Sequence, residues 1–113
     1  MAPVLQVGGQ WTMVQKNGFK VDLDVRQQGD RLSAHAVSDR GVHSREATGS
    51  VAGPDFELTI VWDGGARGHY TGKLKHGPFA PPPVGFLEGI TQDLDNPSSR
   101  AEWQSEGAVF RFA

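Results

Sequence analysis

Residues 19–26 read Phe19-Lys20-Val21-Asp22-Leu23-Asp24-Val25-Arg26, so that apolar and charged residues alternate one by one. In an extended strand, successive side chains point to opposite faces of the sheet. The four apolar residues therefore share one face and the four charged residues share the other. A helix would scatter both sets around its surface. The stretch predicts a β-strand with one buried and one solvated face.

The same period of two recurs along the chain between turn signals. Asn17-Gly18 comes just before this strand and predicts a type I′ hairpin turn. Gly29-Asp30 and Gly53-Pro54-Asp55 predict further tight turns. No stretch longer than a turn has a helical pattern. The predicted strands cover residues 9–15, 19–26, 31–38, about 46–52, 56–62, 69–75, about 86–92 and 101–112, the last with a break near 106–107 left open.

Eight short strands with short connections predict an all-β fold. We interpret it as an eight-stranded antiparallel up-and-down β-barrel, with residues 1–113 forming a single domain. Closing the barrel removes the edge strands that would otherwise aggregate. The proline-rich segment Ala80-Pro81-Pro82-Pro83 is expected to run as polyproline II. A barrel of this size is either filled by side chains or holds one small ligand.

Composition argues against several classes of function. The net charge is −2, from 11 basic and 13 acidic residues, and there is no basic stripe, so nucleic acid is not an expected partner. No apolar run is long enough for a membrane helix. The N-terminus lacks the regions of a signal peptide, which predicts a cytoplasmic protein, although a leader already removed would leave no trace.

Metal and cofactor sites are not predicted either. The chain has no cysteine, which excludes disulfides and cysteine-based metal sites. The histidines form no His-x-His pair and no His-Glu-x-x-His motif, so we predict no metal site. No phosphate-binding loop precedes a helix, and no cofactor is expected. The four histidines are His35, His43, His69 and His76.

Several segments resemble the calycin superfamily, and within it the avidin and streptavidin family. They are Gly9-Gln10-Trp11, Leu58-Thr59-Ile60-Val61-Trp62, Tyr70-Thr71-Gly72, Ala101-x-Trp103-x-Ser105, and Arg111 on the last strand. The resemblance implies that Arg111 stacks over Trp11 as a structural pair near the closed end. It also implies that Trp62 faces a ligand.

The residues that recognise biotin in that family are mostly absent from this chain. Met13 stands where the family has an asparagine, and Ala36 stands where it has a tyrosine, although Ser38 could replace the family's serine. Residues 106–110 contain no counterpart of the family's last-strand aspartate. A buried urea-like ring without these partners would lose about 1–3 kcal/mol for each unpaired group. We therefore do not expect tight biotin binding.

The meander topology places the loops at 16–18, 39–45, 63–68 and 93–100 at one end of the barrel. The resemblance implies that the loop at 39–45 acts as a lid. Ligand sites of barrels open at such a mouth, but an ordinary solvated rim would have the same polar composition. The charged residues and histidine of this rim are Lys16, Asp39, Arg40, His43, Arg45, Asp63, Arg67, Asp93, Asp95 and Arg100.

We expect a cavity walled by Trp62, Tyr70 and Trp103, with Ser38 and Gln15 as polar anchors. The alternative is that the aromatic rings simply fill the barrel. Glu88 is a buried acid if it shares an inward face with Phe86 and Ile90, and a surface residue if Leu87 points inward. The candidate ligand-binding residues are Met13, Gln15, Ser38, Trp62, Tyr70, Glu88 and Trp103.

The leading hypothesis is a barrel that binds an apolar or cyclic small molecule without catalysis, so no catalytic residue is assigned. One alternative is a filled barrel that works as an interaction module. It would form dimers or tetramers through the outer faces of the fourth to eighth predicted strands. The other alternative is an enzyme acting on an apolar substrate, with Glu88 or Tyr70 as its acid or base. Fold alone does not decide among these functions.

Overall fold

The structure, a computed structural model, describes residues 4–76 and 85–113. Within these ranges the chain forms strands and turns, and it has no helix that is long and apolar enough to cross a membrane. The strands are β1 (Leu5–Gln6), β2 (Gly9–Gln15), β3 (Lys20–Gln28), β4 (Arg31–Ser38), β5 (Ser44–Ala52), β6 (Asp55–Trp62), β7 (Arg67–His76), β8 (Gly85–Asp93), β9 (Arg100–Glu106) and β10 (Arg111–Phe112).

Strands β2 to β9 form a closed antiparallel barrel in which each strand pairs with its neighbour in the chain. Closure comes from the pairing of β9 with β2, in which Met13 lies opposite Ser105. The predicted eight-stranded up-and-down barrel is therefore confirmed. The predicted polyproline segment lies outside the described residues.

The break that the sequence left open near 106–107 is present, so the last predicted strand, 101–112, is two separate strands. Strand β9 ends at Glu106, and Gly107 then takes a φ of 89°, which turns the chain out of the barrel. The final residues form β10, which pairs with β1 instead of a barrel strand. Strand β1 was not predicted, because two residues are too few to show a period of two.

The alternation in β3 is the one that the sequence predicted. Val21, Leu23 and Val25 are buried, and the charged residues between them are exposed. The same alternation in the other strands sends one side chain in two to the interior. The buried apolar residues form one core cluster: Leu5, Val7, Trp11, Met13, Val21, Leu23, Val25, Leu32, Ala36, Ala47, Val51, Phe56, Leu58, Ile60, Trp62, Tyr70, Leu74, Leu87, Trp103 and Phe110.

Three hairpins at one end of the barrel share one turn design. The amides of Gly18, Gly41 and Gly65 each donate to the carbonyl three residues earlier, and these glycines have φ values of 91°, 80° and 94°. Positive φ is confined to glycine among the described residues. The predicted type I′ turn at Asn17-Gly18 is therefore wrong, because that turn needs positive φ at both residues. The geometry fits a type I turn followed by a left-handed glycine.

The opposite end of the barrel is covered by the described segments that precede β2 and follow β9. Leu5, Val7 and Phe110 are buried there, and the Trp11 indole N–H donates to the Val7 carbonyl at 2.9 Å. The Gln27 side chain fixes the same segment, since its amide oxygen accepts from Val7 N–H at 2.8 Å and its nitrogen donates to the Leu5 carbonyl at 2.7 Å. This end is closed, so access to the interior is from the end with the three hairpins.

Aromatic side chains fill the barrel from the closed end towards the mouth. Phe110 packs on Trp11 with ring centroids 5.0 Å apart, and Trp11 packs on Phe56 at 5.8 Å. Phe56 in turn packs on Trp103 at 5.8 Å, and Trp103 packs on Tyr70 at 6.1 Å. Each pair has the edge-to-face arrangement that aromatic quadrupoles favour. The sequence left open whether the barrel is hollow or filled by aromatic rings. This part of the interior is filled.

Candidate functional site

A pocket of about 170 Å³ opens at the mouth of the barrel, above the aromatic core. It combines three aromatic side chains with polar groups at its base and rim. It is lined by Gln15, Asn17, Phe19, Trp62, Ala66, Arg67, Gly68, Tyr70, Thr91, Asp93, Ser99, Arg100 and Ala101.

The base of this pocket is a buried hydrogen-bonded pair. The Tyr70 hydroxyl donates to the Gln15 amide oxygen at 3.1 Å, and the Gln15 nitrogen donates to the Asn17 side-chain oxygen at 3.3 Å. Burial raises the pKa of Tyr70 to about 12, against a smaller opposing effect of a hydrogen bond with Thr91. The phenol therefore stays protonated and can act as a hydrogen-bond donor at neutral pH.

Ion pairs order the rim. Arg67 contacts Asp95 at 2.8 Å, and this hydrogen bond holds the pKa of Asp95 below its ordinary value. Lys16 contacts Glu102 at 2.7 Å, and the hydrogen bond raises the pKa of Lys16. The carboxylate of Asp93 accepts from the Asp95 amide at 2.8 Å and thereby shapes the last mouth loop. All these pairs are exposed, so we assign them a positioning role rather than a large stabilisation.

The structure brings three of the candidate residues together: Gln15, Trp62 and Tyr70 all line the mouth pocket. Gln15 and Trp62 are each the residue at which one of the turns at the mouth begins. Phe19 and Thr91 also line the pocket and were not predicted. Thr91 carried a usable signal, because it lies on the same face of β8 as the buried Leu87.

Met13, Ser38 and Trp103 are buried but do not line the mouth pocket. Met13 belongs to the filled core. The Trp103 indole N–H donates to the carbonyls of Ile90 at 3.0 Å and Thr71 at 3.2 Å. The expected cavity wall therefore stops at Trp62 and Tyr70, because Trp103 lies deeper and bonds to the barrel wall.

The loop predicted at 39–45 as a lid is shorter than expected. Strand β5 already begins at Ser44, and Val37 forms a bridge with His43. The Ser38 hydroxyl accepts from the amides of Arg40 at 3.2 Å and Val42 at 3.1 Å. Ser38 is thus committed to holding this loop in a tight turn.

Glu88 lies on the outer face of β8, because Leu87 is the neighbour that points inward. The register left open by the sequence is thereby resolved, and Glu88 is exposed. It lines a groove of about 750 Å³ on the outside of the barrel, together with residues such as Lys73 and Ile90. Arg111 is also exposed, and the side chain that packs on Trp11 is that of Phe110.

Two of the histidines are not scattered, contrary to what their spacing in the sequence indicates. The nitrogens His35 Nε2 and His43 Nδ1 are 2.9 Å apart on the outside of the barrel. His69 instead contacts Glu57 at 3.1 Å. In the part of the chain that the structure describes, no group of three or more His, Cys, Asp or Glu side chains has metal-binding geometry.

No model of a known protein family matches the chain, and no curated protein matches it. The fold is compatible with the calycin resemblance.

Proposed function

We propose that this barrel binds a small cyclic molecule at its open end. The pocket volume of about 170 Å³ equals that of about five or six water molecules at about 30 Å³ each. Drug-sized ligands occupy pockets of about 300–1,000 Å³. The volume therefore favours a ligand of one ring over an extended one.

The observation that carries this proposal is the Gln15–Tyr70 hydrogen bond at the base of an aromatic pocket. Among the described residues, Gln15 uses one of its two N–H groups on Asn17, and the Tyr70 oxygen retains one lone pair besides the one that faces Thr91. A ring with an acceptor and a donor on one edge complements this pair. The faces of such a ring would contact Trp62 and Phe19.

Tight biotin binding is not part of the proposal. Met13 and Ala36 are both fully buried in the core, where the resembling family would place an asparagine and a tyrosine. Neither side chain can hydrogen-bond a urea ring, so its polar groups would be left unpaired at a cost of about 1–3 kcal/mol each.

The test measures thermal shift and tryptophan fluorescence against single-ring polar molecules, with simple sugars and biotin included. We expect a hit to raise the midpoint and to alter tryptophan emission. In Gln15→Leu, the hit should bind about 5- to 150-fold more weakly, because one buried hydrogen bond worth about 1–3 kcal/mol is lost.

Gln104→Leu is the matched control, since Gln104 is exposed on β9 and lines the outer groove but not the mouth pocket. Binding that weakens in Gln104→Leu but not in Gln15→Leu would move the ligand to the outer groove. Silence across the set would contradict the proposal and favour the interaction module.

A second candidate is homo-oligomerisation through the outer face of β6 to β9. The outer groove supports it, because it combines the 43% exposed Ile90 with side chains of both charges, Lys73 and Glu88. A mixed surface of this kind can be self-complementary across a two-fold axis. Sedimentation of the wild type and of Ile90→Lys tests it: a monomer in both would contradict this candidate.

The enzyme alternative finds less support. Glu88 lies outside the mouth pocket, and the pKa of Tyr70, raised to about 12 by burial, keeps its hydroxyl protonated near neutral pH. A general acid or base must reach the reacting atoms, and it works best when its pKa lies near the operating pH.

A further inference from the structure

The pair formed by His35 and His43 bridges two strands on the outer surface of the barrel. Both side chains are exposed, their facing nitrogens are 2.9 Å apart, and their ring centroids are 5.1 Å apart at an interplanar angle of 41°. Eight positions separate them in the sequence, so a search for His-x-His cannot find the pair.

A bulge in β5 brings His43 to this face. The β4–β5 ladder pairs Ser33 with Thr48, and the next pairing is the bridge between Val37 and His43. Four steps along β4 thus correspond to five along β5, and the β5–β6 register shifts at the same place, between Ser44 and Glu46. The extra residue, Arg45, reverses the side-chain alternation, so that His43 points outward beside His35.

We propose that His35 and His43 together bind a divalent late transition-metal ion, Cu²⁺ most tightly. Two imidazole nitrogens about 2.0–2.1 Å from one ion lie about 2.9 Å apart at a right angle and about 3.4 Å apart at a tetrahedral angle. The observed 2.9 Å matches the right angle, which is the arrangement in tetragonal Cu²⁺ and Ni²⁺ sites. To bind the ion, each imidazole ring needs only to rotate so that its nitrogen lone pair points at the ion and not at the other ring.

Two carboxylates on the neighbouring strand favour a cation here. Asp24 pairs with His35 across the β3–β4 ladder, and Asp22 pairs with Val37. Asp22, Asp24 and His35 line one shallow depression on this face, and the Thr12 hydroxyl fixes Asp22 by donating to it at 2.7 Å. Because the described residues contain no three-ligand group, the imidazoles are the protein ligands and solvent completes the coordination.

A metal ion bound here would cross-link β4 and β5 at a gap in their backbone pairing. Between Ser33 and Val37 the β4 strand has no ladder partners in β5, and the Ser44 hydroxyl accepts from the Ala36 amide instead. The ion would link the two strands just below the mouth turn at Ser38. The proposal does not depend on ligand binding in the mouth pocket.

The experiment titrates tag-free protein with Cu²⁺, Ni²⁺, Co²⁺ and Mg²⁺ at slightly alkaline pH, where imidazole is available as a ligand. Affinity should fall in the order Cu²⁺, Ni²⁺, Co²⁺, with no response to Mg²⁺. The electron paramagnetic resonance spectrum at one equivalent of Cu²⁺ should show coupling to two imidazole nitrogens.

His35→Ala and His43→Ala should each weaken Cu²⁺ binding at least about tenfold, since even the loss of an outer-shell partner costs that much. Both positions are exposed, so these variants are expected to fold. His69→Ala is the matched control and should bind as the wild type does. Unchanged affinity in the double variant, or coupling to a single nitrogen, would overturn the proposal.

Discussion

Tyr70 is the only tyrosine of the chain, and its hydroxyl lies where the filled core meets the mouth pocket. Its ring contacts Trp103 below, and its oxygen bonds to Gln15 above. Burial raises its pKa to about 12, whereas a tyrosine in the unfolded chain titrates near about 10. The folded state therefore holds this proton more tightly than the unfolded state does.

This difference predicts a loss of stability at high pH. Below about pH 10 both states are protonated, and the full stability is present. Between about pH 10 and 12 only the unfolded state loses the proton, so the free energy of unfolding falls by about 2–3 kcal/mol. Urea unfolding across this range, combined with ultraviolet titration of tyrosinate, measures it.

Tyr70→Phe is the control for the other groups that titrate at high pH, such as the lysines. It should remove this part of the pH dependence and cost about 1–2 kcal/mol at neutral pH, through the lost bond to Gln15. An equal decline with pH in both proteins would show that Tyr70 is not the responsible group.

The site was predictable from sequence only as far as side-chain direction follows from alternation. Gln15, Trp62 and Tyr70 occupy inward positions of regular strands, so topology alone places them near the mouth. Trp103 was assigned to the cavity for the same reason, but depth along the barrel depends on how the rings stack. The pairing of His35 with His43 depends on the bulge at Arg45, and a bulge cannot be predicted from the alternation of apolar and polar residues.

At the scale of strands, glycines determine how closely the barrel wall can pack. A Cβ on Gly89 would collide with the Thr71 carbonyl oxygen and would lie 2.5 Å from the Gly72 Cα. A Cβ on Gly72 would lie 2.9 Å from the Trp103 ring. The two glycines are cross-strand partners in β7 and β8. Because neither has a side chain, the wall leaves room here for the Trp103 indole.

Gly89→Ala should therefore destabilise the protein by about 3 kcal/mol or more, because the obstacle is backbone and cannot rotate away. Chemical denaturation measures the change. Gly64→Ala is the matched control, since a Cβ there meets nothing within 4 Å and the residue does not need positive φ. Equal stability of the two variants would contradict this account.

Strand positions followed from the sequence because a period of two survives in the barrel strands, apart from the bulge near the start of β5. Turn geometry was harder to predict. Asn17-Gly18 fits two hairpin designs, and the choice depends on the φ of Asn17, which its residue type does not fix. The β1–β10 pair was missed because its stability comes from contacts with the barrel end, such as those of Gln27, and not from local pattern.

For the whole molecule, Gln27 connects the barrel to the segment that closes it. Gln27→Ala should cost about 1–3 kcal/mol, because it leaves the buried Val7 amide without its acceptor. Amide hydrogen exchange should become faster at Leu5 and Val7 first. Gln28→Ala is the matched control, as Gln28 is exposed on the same strand. Unchanged exchange in Gln27→Ala would show that the closed end holds without this side chain.

The same closed end brings Val4 and Ala113 side by side, where each donates its amide to the other's carbonyl, at 3.0 and 3.1 Å. A short peptide linker could span these two residues without moving a strand. In the ring of strands β2 to β9, every strand already has two neighbours. A circular permutant that joins Ala113 to Val4 and opens at the exposed Gly64 would keep every strand pairing, because a closed ring has no first strand.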